Sequence, residues 1–447
     1  MPVLSSLEVI SLLVLLGFAA LIVFFLIYQY REMALIVIFF LRPLLELGRL
    51  TPWREQFTEW VIGPVGLLIS LLMFLVLIFR NKLFDRNNSY LLGFIVVTLF
   101  IAVVNGVNFQ VWDLMARIIS PLVFLVFPQL FINDERQVKR FIMVVALSTA
   151  IVIVSILLDF DRTNVNPIFE WDQDQITLST GELQPRMAAV FGVPTTTAYW
   201  LFQFFAVIFI LGNLAEGTKR YGWSIVMLIL LYGIYVTYCR TAWVACLLLF
   251  VVYNILNRRY SLIGIIGVMV FALIVLNPDI ITRITDLGSL IGRLEFWFGY
   301  MQVMMMKGFQ TWLLGLGWAD ILLGIGAVEV IEGSTGLVEN TYLFILAGTG
   351  LIPLLLLLGF FGNLAAQALW LVKHGDTRFS RNLGAWGFSL LGCWFLMSMT
   401  GEMITYVVIN WYYYVFFGMF SALYSIKAQE YSGRISVEDR LLTEGAI

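Results

Sequence analysis

Two features of this 447-residue chain have the residue types and spacing to do chemistry. The first is Arg240, in the segment TYCRTAW, which interrupts a long apolar run. An arginine in mid-membrane costs about 2.5–3.5 kcal/mol on the insertion scale, so a charge kept there is a functional hypothesis by default. Its plainer reading is a charge marking a tight turn between two short spans. The second is the stretch Asn277 to Gly350, which gathers Arg283, Arg293, Lys307, acids, tryptophans and glycines between hydrophobic runs. It reads as the roof of an active site on the outer face of a membrane enzyme. Guanidinium groups suit anions, because their planar fork grips paired oxygens of a phosphate or carboxylate.

The elements that must position these residues are hydrophobic helices. The chain is 61% hydrophobic and only 13% charged, with a mean hydropathy of +0.92, far from the balance of a soluble protein. Repeated apolar runs of about 20 residues match the hydrocarbon thickness, and alternating barrel strands are absent. The expected fold is an all-α polytopic integral membrane protein of twelve or thirteen transmembrane helices, forming a single membrane domain over 1–447. Residues 159–186 form an outer polar loop, 277–338 a large outer active-site loop with short helices, and 426–447 a cytoplasmic tail. Expected spans include Met33–Leu45, spoiled by Arg42 and Pro43, then Tyr90–Val104, Met115–Phe131 and Phe141–Leu158. Trp223–Val236 and Ala242–Leu256 flank TYCRTAW, and Tyr342–Val372, Leu383–Met399 and Val407–Ser425 close the chain. The larger share of the 27 Lys and Arg falls on alternate connections, including Arg31, Arg140, Arg259, Arg378 and Lys427. By the positive-inside rule these face the cytoplasm, and the two long loops face out.

Other patterns carry less. The net charge of −2 argues neither for a nucleic-acid partner nor for a strongly basic membrane-surface protein. Asp159-x-Asp161 and Asp172-x-Asp174 have a cation-binding spacing, but no nucleotide-binding unit surrounds them, so they read as a solvated acidic loop and no metal or cofactor is expected. Gly315-x-Gly317 and Gly324-x-Gly326 lack the register of a dinucleotide site and give backbone freedom instead. Cys239, Cys246 and Cys393 read as small core residues. Met301 and Met304 to Met306, with Phe296, Trp297 and Phe298, read as one side of an amphipathic helix lying on the membrane.

Four outer segments then stand in order: PRMAAVFGVPTTTAYW (185–200), TYCRTAW (237–243), GRLEFWFGYMQVMMMKGFQTWLLGLGW (292–318) and ENTYLFILAGTGLIP (339–353). In this order and at these positions the chain resembles the O-antigen ligase and polymerase superfamily, the WaaL and Wzy type, over about its C-terminal 60%. The matching features are an Arg before a Phe-Gly-x-Pro turn and an Arg in a short outer turn. An Arg-x-x-x-Trp ahead of Gly-x-Gly follows, and then a motif like His-Asn-x-Tyr opening a span.

The resemblance implies glycosyl transfer outside the membrane, from a glycan on an undecaprenyl diphosphate carrier to a saccharide hydroxyl. It makes Arg186, Arg240 and Arg293 the diphosphate clamp, with Asn340, Tyr342 and Trp297 as substrate-positioning groups. Arg186 and Arg293 have structural alternatives as partners of Glu182 and Glu295. Where the ligases carry His this chain has Glu339, and its only histidine, His374, falls in an inner loop. A carboxylate near lipid has a raised pKa, so Glu339 is the candidate base; a helix-start charge or an ion-pair partner is its structural alternative. The expected activity is a metal-independent polymerase, with membrane lipid around it and a chain-length regulator as a candidate partner. A ligase and a small-anion transporter are the alternatives, although sequence shows none of the broken helices of transporters.

Overall fold

A computed structural model describes residues 28–47, 72–78, 88–104, 123–158, 175–177, 183–185, 194–265, 267–268, 288–317, 340–401, 403 and 406–444. In chain order its helices are α1 (Arg31–Leu47), α2 (Ser89–Val104), α3 (Glu135–Leu158), α4 (Pro194–Leu214), α5 (Thr218–Val236) and α6 (Arg240–Leu256). They continue with α7 (Gly288–Lys307), α8 (Phe309–Leu314), α9 (Thr341–Thr349), α10 (Leu351–His374), α11 (Arg378–Met399) and α12 (Val407–Glu444). A 3₁₀ turn at Phe127–Leu130 precedes α3. Among the described residues, Gln175–Thr177 and Leu183–Pro185 form a short antiparallel pair.

Among the described residues, α4, α10 and the Glu135–Val154 part of α3 are long and apolar enough to cross a membrane, and α2 and α6 are shorter apolar helices. Of the expected spans Leu7–Tyr28, Val61–Phe79, Met115–Phe131 and Leu262–Leu276, the parts 7–27, 61–71, 115–122 and 269–276 lie outside the described residues.

Two helices form the core. In α4 every residue from Thr197 to Leu211 is buried. In α12 the aromatic run Trp411, Tyr412, Tyr413, Tyr414, Phe416 and Phe417 is buried as well. Burial on every side shows that these segments are enclosed by other helices rather than by lipid alone. Buried polar groups tie this centre together. Trp386 Nε1 on α11 donates to the Ala206 carbonyl on α4 at 2.8 Å. The Tyr253 hydroxyl on α6 donates to Asn382 Oδ1 on α11 at 3.0 Å, and Gln203 Nε2 on α4 donates to the Ile409 carbonyl on α12 at 2.6 Å. Hydrogen bonds of this kind satisfy polar groups where water is absent.

Helix α1 differs from the expected broken run. It continues through Pro43, and Arg42 is buried with its guanidinium 4.8 Å from the ring centre of Trp411. Cation–π contact with the core helix gives that charge a place inside the bundle.

One end of the bundle collects the connections expected to be cytoplasmic. Arg140 pairs with Glu32 at 2.6 Å, and the Thr377 hydroxyl donates to Glu135 Oε1 at 2.5 Å. Thr377 and Ser380 form a reciprocal cap that starts α11. Lys427 reaches Asp376 and Glu430, both at 3.0 Å, and Arg259 donates to Asn213 Oδ1 at 3.1 Å. Burial works against the Asp376 charge, but the hydrogen bond and charge of Lys427 overcome it and hold the carboxyl below its usual range. Lys427 is shifted up, because Glu430 and Asp376 outweigh its own burial. Lys427 belongs to α12, which continues through the expected tail as helix to Glu444.

Candidate functional site

The opposite end of the bundle is built from helix starts and turns. Helix α5 ends at Val236, and the chain turns sharply through Tyr238, whose φ of 52° is rare for a residue with a side chain. The turn is held from within. Thr237 Oγ1 donates to the Ile234 carbonyl at 2.6 Å, and Trp243 Nε1 donates to the same carbonyl at 3.3 Å. The rings of Tyr235 and Trp243 stack across it at 5.7 Å. Arg240 is thereby fixed as the first residue of α6, half-buried. A cation at a helix N-terminus opposes the helix dipole, so this placement favours an anion as its neighbour.

Three hydroxyl groups from three elements meet beside it. Tyr199 on α4 lies 3.1 Å from Thr400 Oγ1, at the end of α11, and Thr400 Oγ1 donates to Thr241 Oγ1 on α6 at 2.9 Å. The neighbouring Gly401 carbonyl accepts from Thr341 Oγ1 at 2.9 Å, which brings in the start of α9. Thr400 and Gly401 are the junction of the site. The expected spans Leu383–Met399 and Val407–Ser425 leave them in the connection between two helices. The available signal was a polar Thr-Gly pair in a connection too short to be anything but a tight outer turn.

The third segment joins through a broken helix. The run expected as one span from Tyr342 splits at Gly350, with φ 84°, into α9 and α10. Gly315 (φ 75°) lies against the Gly348–Thr349 backbone and Gly350 against that of Leu313–Leu314, where a Cβ at Gly350 would overlap the Leu313 carbonyl. The Leu316 amide donates to the Ala347 carbonyl at 2.6 Å, satisfying a backbone acceptor at the buried C-terminal end of α9. Helices α7 and α8 both pack against α9.

On α7 the positions Arg293, Trp297, Tyr300 and Met304 share one face at helical spacing. Tyr300 and Met304 are buried, Arg293 and Trp297 half-buried, while Leu294, Glu295 and Phe298 are exposed. Arg293 therefore stands on the inward face of its helix, and Glu295 on the other side.

Asn340 and Tyr342 have defined structural work. Asn340 Oδ1 caps α9 by accepting from the Tyr342 and Leu343 amides, both at 3.0 Å. The Tyr342 hydroxyl donates to the Phe395 carbonyl at 3.2 Å, and its ring packs on Phe395 at 4.8 Å. Arg186 and Glu339 lie outside the described residues, as does Glu182. His374 packs on Trp370 and Tyr431 at the charged end of the bundle, away from Arg240.

The arrangement sets a half-buried cation, Arg240, beside a cluster of three mutually hydrogen-bonded hydroxyl groups. Comparison with models of known protein families and with curated protein sequences gives no match to this chain.

Proposed function

We propose that this chain is a membrane glycosyltransferase that polymerises undecaprenyl-diphosphate-linked oligosaccharide repeat units on the outer face of the bacterial cytoplasmic membrane. The observation that carries this reading is convergence. Tyr199, Thr241, the Gly315–Leu316 turn and Thr341 come from four separate segments, and all are joined through Thr400–Gly401 or the Gly350 break. Those are the segments on which the resemblance to the O-antigen ligase and polymerase superfamily rests. The span total of twelve or thirteen, the outer loop 277–338 and the cytoplasmic C-terminus belong to the same proposal.

In this reading Arg240 and Arg293, with Arg186, clamp the diphosphate of the donor. The acceptor hydroxyl oxygen attacks the anomeric carbon, and the bond from that carbon to the diphosphate oxygen breaks. The electron pair leaves with the diphosphate, where the fixed guanidinium charge stabilises it. Glu339 takes the hydroxyl proton. Asn340 and Tyr342 fix the start of α9 beside it, and Trp297 lines the approach on α7.

The break at Gly350 favours a second reading, since discontinuous helices hold ions and anionic substrates in transporters. The Leu316 amide already occupies the Ala347 carbonyl at that break, which supports the enzyme over the small-anion transporter. A ligase delivering the same donor to another acceptor shares the clamp and differs in acceptor.

The deciding experiment is elongation of an undecaprenyl-diphosphate-linked repeat unit by purified protein. Wild type is expected to build a ladder. Arg240→Ala should slow it about 10²–10³-fold and Glu339→Gln about 10²–10⁴-fold, each with an unchanged thermal midpoint. A ladder that survives Glu339→Gln removes the proposed base, and no ladder from wild type with its own repeat unit overturns the polymerase reading.

A further inference from the structure

The charged end of the bundle is uneven. On one side its acids and bases are matched: Arg140 pairs with Glu32, Lys139 with Glu135, and Lys427 with Asp376 and Glu430. The other side lies where the end of α4, the start of α5, the end of α6 and the start of α11 come together. Asn213 is their meeting point, since its Oδ1 accepts from Arg259 at 3.1 Å and its carbonyl from Arg378 Nη2 at 3.3 Å. Trp223 packs against Gly212 and brings in the start of α5. These segments carry five cations, Lys219, Arg220, Arg258, Arg259 and Arg378, and one free-standing acid, Glu216, which is 85% exposed and lies 3.4 Å from Arg378. Asp376, two residues before Arg378, is taken up by Lys427. Lys219, Arg220 and Arg258 are exposed and form no ion pair among the described residues. The positive-inside rule calls for cations at this end, but not for their gathering on the side that lacks acids. Helix dipoles favour Arg258 and Arg259 after α6 and oppose Lys219 and Arg220 in the first turn of α5. Tyr221 and Tyr260, 74% and 63% exposed, stand beside the cations. From Tyr221 the exposed face of α5 continues at helical spacing through Ile225 and Leu228, and Ile255 is exposed on α6.

We infer that this corner of the bundle binds an anionic phospholipid, with Lys219, Arg220 and Arg258 engaging its headgroup. Tyr221 and Tyr260 mark the level of the membrane interface, where amphipathic rings settle, and the exposed apolar residues of α5 and α6 meet the acyl chains. Guanidinium groups suit phosphate oxygens, and a basic pocket between membrane helices selects anionic over zwitterionic lipid. The inference is independent of the diphosphate reading, because none of these residues belongs to the proposed catalytic site.

The test is lipid binding to the delipidated full chain in detergent, read by native mass spectrometry with phosphatidylglycerol and phosphatidylcholine as probes. Wild type is expected to hold phosphatidylglycerol about tenfold or more tightly than phosphatidylcholine. Lys219→Gln, Arg220→Gln and Arg258→Asn combined should abolish that preference, with elution and thermal midpoint at wild-type values. Asparagine tolerates the φ of 56° at position 258, so the turn after α6 is kept. Arg136→Gln, Lys139→Gln and Arg140→Gln combined remove the same charge from the matched side and should leave the preference intact. Arg220→Gln alone should weaken phosphatidylglycerol binding severalfold, which decides the matter if the first combination does not purify. Equal retention of the two lipids by wild type would overturn the inference, as would an unchanged preference in the first combination or an equal loss in both. Displacement of the lipid by inorganic phosphate would also overturn it and assign the patch to a soluble anion.

Discussion

Asn340 shows how a residue singled out for chemistry acquires a structural duty. Its side-chain oxygen accepts two amide hydrogens at the start of α9, so truncation removes an N-cap. Asn340→Ala should cost about 1 kcal/mol of stability, read as a lower thermal midpoint in detergent. Asn340→Asp keeps an equally good cap and should keep that midpoint. Elongation lost in both variants at unchanged stability would instead make Asn340 a substrate contact. Arg240 and Arg293 differ from it in kind. Arg240 opens a helix, where a cation is disfavoured by the dipole, and Arg293 stands on the inward face of α7, where an apolar residue would pack better. Both were legible in the sequence, because an arginine inside apolar surroundings is conspicuous. Thr241, Thr400 and Gly401 were not, since a threonine or glycine in a membrane helix is ordinary until its partners are known.

At the scale of elements, the break at Gly350 decides the shape of the site. A single span from Tyr342 to Val372 would be about 46 Å long at 1.5 Å per residue, well beyond roughly 30 Å of hydrocarbon. Length alone therefore argues against one straight helix, but hydropathy does not register the break because the run stays apolar across it. Gly350 is held at a positive φ with its Cα against the Leu313 carbonyl. Gly350→Ala should lower the thermal midpoint by the equivalent of more than about 1 kcal/mol and detach α8 from the break. Gly362 on the same helix α10 has open space at its Cβ position, and Gly362→Ala should stay within about 1 kcal/mol of wild type. Equal effects from the two substitutions would mean that the close approach at Gly350 does not matter. The turn between α5 and α6 is the opposite case. TYCRTAW marked it clearly, and the helices end and begin within a few residues of the expected positions.

Over the whole molecule the described residues divide into a charged end and a hydroxyl-lined end. The first joins Glu32, Glu135, Arg140, Asp376, Arg378 and Lys427 through ion pairs and hydrogen bonds. The second joins Tyr199, Thr241, Thr341 and Thr400. Orientation can be read with single cysteines, because Cys239, Cys246 and Cys393 are buried and give little background. Glu295→Cys on the exposed side of α7 should react with a membrane-impermeant thiol reagent in intact cells. Glu216→Cys, at the charged end, should react only after permeabilisation. The reverse pattern would turn the bundle over and place the candidate site in the cytoplasm.

The sequence by itself determined the helical, apolar character of the chain, the alternation of its basic connections and the arginines that stand out against hydrocarbon. These are properties of single residues and local periodicity, set by the cost of placing charge or backbone polar groups in lipid. Only the tertiary structure decided which helices lie at the centre and that Arg42 rests on Trp411. It also decided that Tyr199, Thr241 and Thr341, from three distant segments, meet at Thr400 and Gly401. Those facts depend on packing between segments far apart in the chain, where a hydroxyl or a glycine gains its meaning from the atom it touches.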